Sequence, residues 1–354
     1  MAVRFDRNLD ARASSGAASA AGGSLNGFPL RVQYASAAPA PAVSQFILGE
    51  VGFGTPVVAS GAASHPRAFV ALHALDGAPR REFWISGVPV KYGQLNGVQY
   101  AMNDEYLFGV VNDDTDVGSA DFETRVQRIY ETIFSLTESE GRSHLLRMWN
   151  YFPGMNAESN GLENYQRFCR ARSLAFQQHY RNFIDYLPSA SAIGTSAGPV
   201  VVYFIAARSA GVHRENPRQV SAYSYPRQYG PRSPSFARAT LKRVGADEMF
   251  FISGTASIVG HQSLHPDDVR AQAGEALRNI EALIESTRRA EGIRFAGLHD
   301  LDNIKVYVRR PTDLPLVRDV VSAHVRSGAQ TLYLQGDICR RELLVEIEAT
   351  LYAG

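Results

Sequence analysis

The chain repeats itself. "NDEYLFGVV" (103–111) and "ADEMFFISGT" (246–255) are each an acidic turn running into an apolar strand. Each leads through a polar loop into a long helical pattern ending in Glu-Gly, at 122–141 and at 267–292. In the first helix Val126, Ile129, Tyr130, Ile133 and Phe134 share one face; in the second, Ala276, Leu277, Ile280, Leu283 and Ile284 do. Gly141 and Gly292 stand where C-terminal caps belong. A strand pattern follows (145–153; 304–311), then a second helix (162–180; 314–327), then a pair of strands (191–207; 331–351). Tyr203 to Glu346 and Asp104 to Asp247 span the same 143 residues (346 − 203; 247 − 104). Two anchors near opposite ends of a repeat agreeing on one offset point to duplication.

The expected unit is strand, strand, helix, strand, helix, strand, strand, twice over. This is an α+β fold with mixed β-sheets and helices packed on one face of each. Four further strand patterns, "RVQYA", "QFILGEVGFG", "AFVALHAL" and "EFWISG", are expected to pad the first copy. The expected organisation is a flexible N-terminal tail (1–25), a first repeat (26–210), an Arg/Tyr-rich connecting segment (211–245) and a second repeat (246–354).

At 354 residues and 45% hydrophobic, the chain can bury a large core. A net charge of +1 implies no general attraction to nucleic acid or to a membrane, and no apolar run is long enough to span one. Two cysteines, Cys169 and Cys339, suggest no disulfide framework and fit a cytoplasmic location. His261 and His265 sit in a loop with no helix to align them, so neither a metal nor another cofactor is expected.

The last strand pattern, "VEIEATL", places Glu346 and Glu348 opposite Val345 and Ile347. Two carboxylates on one face mark either a solvated edge strand or a site. If Glu346 lies in a pocket, burial raises its pKa and makes it a general acid; Glu348 reads as structural or as a pocket rim. Between Arg208 and Arg243 eight Lys and Arg residues interleave with Tyr223, Tyr225 and Tyr229, against Glu215 alone. This mixture fits a solvated linker, a single-strand nucleic-acid surface or a grip on carboxylates.

The strings "FFISGTASI", "AQAGEALRNIEALIE", "DLDNIKVYV" and "LLVEIEATL" together resemble the RidA (YjgF) family. That resemblance implies two tandem RidA/YjgF-like (chorismate-mutase-like) halves. It also implies small-molecule pockets between units, which are three separate chains in that family. In the deaminases of the family an arginine stands fifteen residues before the first Glu of the terminal motif. Here that position is Thr331, and its counterpart in the first repeat is Pro188.

"NPRQVSAYSYPRQYGPRSPSFARATL" (216–241), "FISGTASIVGH" and "CRRELLVEIEA" (339–349) resemble a narrower RidA-like group, the chorismatases, over nearly the whole chain. This resemblance implies conversion of chorismate to 3- or 4-hydroxybenzoate and pyruvate without a cofactor, with Glu346 as acid. In that group a cysteine seven positions before the glutamate accompanies hydroxybenzoate formation, and an alanine accompanies a dihydroxycyclohexadiene carboxylate; the residue here is Cys339. Tyr223, Tyr225, Arg238 and Arg309 are the expected substrate ligands, and Gly254 and Thr255 the close backbone approach. A RidA-like enamine or imine deaminase and a non-catalytic small-molecule-binding protein are the alternatives, and either a monomer or a homotrimer is compatible.

Overall fold

The computed structural model describes residues 30–36, 46–54 and 65–354; the expected tail at 1–25 lies outside the described residues. Four N-terminal strands come first: β1 (Arg31–Ser36), β2 (Phe46–Phe53), β3 (Arg67–Val70) and β4 (Arg80–Ser86). The first repeat holds β5 (Lys91–Leu95), β6 (Val98–Met102), β7 (Tyr106–Asp113), α1 (Phe122–Ser139) and β8 (His144–Pro153). A two-residue hairpin, β9 (Glu158–Ser159) with β10 (Leu162–Glu163), precedes α2 (Asn164–His179), β11 (Ser189–Thr195) and β12 (Val200–Ala207).

The connecting segment adds β13 (Val212–Arg214) and β14 (Ala239–Val244) to the second sheet, and the second repeat opens with β15 (Asp247–Ala256), then a hairpin of β16 (Ile258–Val259) and β17 (Gln262–Ser263). It continues with α3 (Val269–Glu291), β18 (Asn303–Val308), α4 (Leu314–His324), β19 (Gln330–Gln335) and β20 (Val345–Ala353).

The two six-stranded sheets have the same order. The first reads β11-β8-β12-β7-β6-β5 and the second β19-β18-β20-β15-β14-β13. In each, the outermost pair, β11/β8 or β19/β18, is parallel and the central pairs are antiparallel. Tyr203 pairs with Trp149, four residues before Pro153, and Glu346 pairs with Tyr307, four residues before Pro311. The two residues therefore hold matching places.

Along β12, Val200, Val202, Phe204 and Ala206 pack under α1 and α2, while Val201, Tyr203 and Ile205 face the other way. In β20, Val345, Ile347, Ala349 and Leu351 pack under α3 and α4. Each sheet thus carries helices on one face only. The opposite faces share one core, where Trp149, Tyr151 and Tyr203 meet Phe251, Tyr307 and Leu334.

The N-terminal strands do not extend the first repeat's sheet, contrary to the expectation. They form their own four-stranded sheet, β1-β4-β2-β3. The edge they would have joined is taken by the β5–β6 hairpin. Their apolar face, with Leu48, Val51, Phe53 and Trp84, closes the third side of the shared core instead. Adjacent units also meet edge to edge: Gly194 exchanges backbone hydrogen bonds with Asp337, and β19 is bridged to Ala74.

Candidate active site

β20 is a central strand, flanked by β15 and β18, so its two glutamates are not on a solvated edge. Glu346 is 5% exposed and Glu348 3%. They face the same way, yet their surroundings differ. Glu348 receives Arg147 Nη2 at 2.8 Å, Trp149 Nε1 at 2.6 Å and Lys305 Nζ at 3.0 Å, and it also accepts from Ser191 Oγ. Lys305 in turn reaches Glu82 at 2.7 Å and donates to Tyr203 OH at 2.8 Å. Glu82 comes from the N-terminal sheet, Arg147 from β8, Lys305 from β18 and Glu348 from β20, so this buried charge cluster ties all three sheets together. Burial works against the Glu348 anion, but Lys305 and Arg147 hold its pKa below the ordinary carboxylate value.

Glu346 has none of these donors. Burial, and then the Glu348 charge beside it, push its carboxyl up to about 8, against the opposing pull of Arg147, Arg238 and Arg309. It lines a cavity of about 350 Å³. The backbone opposite makes room for it: β15 bulges between Ile252 and Thr255, and Gly254 N donates to Ser191 Oγ at 2.9 Å. A Cβ on Gly254 would run into Glu346 Oε1, so the carboxyl can stand where it does only beside a glycine.

Both repeats and the connecting segment build the cavity. α2 and β11 supply Tyr165, Cys169, Arg172 and Ser191; the connecting segment supplies Tyr225, Tyr229, Phe236 and Arg238; the second repeat supplies Gly254, Cys339, Arg340 and Glu346. Among the described residues, no carboxylate lies within ion-pair reach of Arg172, Arg238 or Arg340. Arg238 Nη2 donates to Tyr225 OH at 2.8 Å and to Val220 O at 3.1 Å, while Arg340 stacks 3.8 Å over the Tyr229 ring. The buried Nε of Arg172, Nε of Arg238 and Nη2 of Arg340 have no hydrogen-bond partner. Burial, and secondarily Glu346, push the Cys339 thiol up to about 12, so it stays protonated and is no thiolate nucleophile.

Of the expected site residues, Glu346, Cys339, Tyr225, Arg238 and Gly254 line this one cavity. The other three are absent from its lining. Tyr223 packs against the core under α1 and α2. Thr255 is buried and donates its hydroxyl to Ser253 O. Arg309 is engaged by the loop before β20. Cys169 is buried and also borders the cavity.

Sequence reasoning missed Arg172, Arg340, Ser191 and the Glu82–Arg147–Lys305 cluster. For Arg147 in "LLRMWNYF" and Lys305 in "NIKVYV" a signal existed: a single cation within an otherwise apolar strand. Among the described residues, no group of three or more His, Cys, Asp or Glu could hold a metal ion, and no helix is long and apolar enough to cross a membrane.

The chain resembles characterised proteins over nearly its whole length. Residues 82–206 match the family described as chorismatase FkbO/Hyg5-like, N-terminal. A 3-hydroxybenzoate synthase from Streptomyces hygroscopicus is 39% identical over 92% of this chain and 98% of its own. A chorismatase from Streptomyces rapamycinicus is 39% identical over 76% of this chain and 81% of its own. The crystal structure of a chorismatase superposes with a TM-score of 0.85 at 36% identity, covering 91% of this chain and 98% of that one. The shared sheets and the conserved extent of the match lead to one assignment: this chain belongs to the chorismatase family.

Proposed function

We propose that this protein releases pyruvate from chorismate and leaves a hydroxybenzoate, with Glu346 as the proton donor. One observation carries the reading: a carboxyl that stays neutral up to about pH 8 faces a cavity bordered by three guanidinium groups without carboxylate partners. Chorismate is the complement, a vinyl ether with two carboxylates. Cleaving the ether needs a proton on its methylene carbon or on its oxygen, which a protonated Glu346 can deliver. The substrate's two charges need cations, which Arg172, Arg238 and Arg340 offer. Tyr225, held by Arg238, offers a ring and a hydroxyl beside them. The cavity is of the size that encloses a small ligand.

A hydroxybenzoate and pyruvate together carry the atoms of chorismate, so the conversion needs no redox partner. A diene diol and pyruvate carry one water more. Cys339, neutral and packed beside Ile338 and Leu343, is proposed to keep that water from the ring side and so favour hydroxybenzoate. The relative named 3-hydroxybenzoate synthase supports the 3-isomer. In this reading the first repeat is a wall of the pocket and the second holds the acid. A monomer suffices, since three sheets of one chain already enclose the core, and the protein works in the cytoplasm.

The test is to incubate purified protein with chorismate and resolve the products by chromatography. Equal amounts of pyruvate and hydroxybenzoate are expected, and light scattering should return the mass of one chain. Ammonia release from an imine without chorismate turnover would instead mark a deaminase. Chorismate binding without any product would mark a binding protein.

A further inference from the structure

Arg309 follows β18 and points into the loop that carries Cys339. Its guanidinium has five N–H groups, and all five are used. Nε donates to Leu343 O at 2.8 Å. Nη2 donates to Ile338 O at 3.0 Å and to Arg340 O at 2.9 Å. Nη1 donates to Asp337 Oδ1 at 2.6 Å and to Asn156 Oδ1 at 3.1 Å. Three backbone carbonyls of one loop thus converge on a single side chain, and none of its donors remains for a substrate carboxylate.

The same loop is fastened at both ends. Arg309 N donates to Leu344 O at 3.0 Å, and Gly336 N to Val308 O at 3.3 Å. Asn156 of the first repeat returns a bond from Nδ2 to Ile338 O at 3.2 Å, so the clamp spans both repeats. Arg309 is only slightly exposed, which strengthens each of these charge-assisted bonds. Cys339 lies between the clamped carbonyls of Ile338 and Arg340, and both Cys339 and Arg340 border the cavity.

We propose that Arg309 is a positioning residue for product identity: it fixes the loop 337–343 so that Cys339 stays against the ring side of the cavity, without itself touching substrate. The proposal rests on the chorismate reading above. Loosening the loop lets water in beside the ring. Once the methylene carbon has been protonated, water adds to the ether carbon of the enolpyruvyl group. The adduct then collapses to pyruvate and frees the ring hydroxyl, giving the diol.

The experiment compares Arg309→Lys and Arg309→Gln with the parent, alone and in a Cys339→Ala background. Lysine has three donors and no fork, so it can replace only part of the clamp. Product ratio at full conversion, KM for chorismate and amide hydrogen exchange across 337–343 are measured. The diol share should rise in Lys and rise further in Gln. Exchange in the loop should quicken about tenfold or more, the factor that losing one charge-assisted bond implies. Adding Arg309→Gln to Cys339→Ala should move the ratio no further.

An unchanged ratio in folded variants overturns the proposal, as does an additive effect in the Cys339→Ala background. A KM raised about tenfold or more at constant ratio also overturns it, because Arg309 would then grip the substrate. If the parent fails to consume chorismate, the chorismate reading has failed; hydrogen exchange still judges the clamp, and unaltered exchange refutes it. Should Arg309→Gln not fold, Asn156→Ala loosens the same loop from the other repeat and should move the ratio the same way.

Discussion

Glu346→Gln should remove activity and, at alkaline pH, stabilise the protein. The carboxyl is pushed up to about 8, chiefly by burial and then by the Glu348 charge. If it must be protonated to act, about nine-tenths of the enzyme is competent at pH 7, about half at pH 8 and about one-tenth at pH 9. Turnover should therefore fall about tenfold between pH 7 and pH 9. The glutamine keeps the shape but has no proton to give, so its rate should drop about 10²–10⁴-fold and lose the alkaline limb.

The stability effect has the opposite sign. An unfolded chain releases this proton near the ordinary value of 4.5, whereas the native protein keeps it to about 8. Between those values the native state binds more protons, so Glu346 makes the fold less stable as pH rises. Glutamine has no such cost, and the variant should exceed the parent by a few kcal/mol, on the order of several at most, at pH 8–9. The gap should close toward pH 4.5. The assays are chorismate consumption from about pH 6 to 10 and denaturant midpoints from about pH 4.5 to 10. A rate that climbs through pH 7–9, or a glutamine variant within a few-fold of the parent, would refute the acid assignment.

Three further outcomes are expected. Gly254→Ala drives a Cβ into Glu346 Oε1, so the carboxyl must retreat by about an ångström or more. A displacement of that size costs about 10²-fold in kcat, and a variant within threefold of the parent would mean that the carboxyl need not sit there. Cys339→Ala opens room for a water and should move the product from hydroxybenzoate toward the diene diol at full conversion; an unchanged ratio returns Cys339 to a packing role. Lys305→Met leaves Glu82 and Glu348 without their shared cation, and denaturant unfolding should show a loss of about 3–5 kcal/mol. A loss below about 1 kcal/mol would mean that the cluster does not hold the sheets together.

The repeat was legible because it is written in local signals. Helical spacing, strand alternation and the Glu-Gly helix ends recur at one offset, and they returned the matching strand order of the two six-stranded sheets. The third sheet was not legible. "QFILGEVGFG" has the pattern of a strand whichever sheet it joins, and only the shape of the shared core decides that it stands apart. The site divides the same way. Glu346, Cys339, Tyr225, Arg238 and Gly254 fall in short distinctive strings. Arg172 lies in a helix whose buried face looks like ordinary core, and only the approach of α2 to the connecting segment turns it toward a cavity. Arg309 misled for a related reason: an arginine at a strand end looks free in sequence, and the carbonyls that occupy it arrive from thirty residues further on.

The duplication also explains why the two copies differ at one residue. Tyr203 and Glu346 occupy matching places, both facing the shared core. Around Tyr203 the space is filled: its ring stacks on Trp149 at 4.5 Å and lies 5.9 Å from both Phe108 and Tyr151, and its hydroxyl accepts from Lys305. β7 and β12 pair there without a bulge. Around Glu346 the space is kept open: β15 bulges against β20, Gly254 lacks a Cβ, and Ser191 of the other repeat takes the freed backbone N–H. A carboxyl at position 203 would be a second acid with no cavity to serve, close to Glu348 and Glu82, whose charges already raise the Tyr203 pKa after burial itself. An aromatic ring fills that place at no electrostatic cost and braces Lys305, which together with Arg147 keeps Glu348 charged. Second to burial itself, the Glu348 charge pushes the Glu346 carboxyl up. If Glu346 is the acid, the first repeat supports its proton through Tyr203, Lys305 and Glu348, and Tyr203→Phe should move the alkaline limb of a pH–rate profile to lower pH; an unmoved limb would refute this linkage.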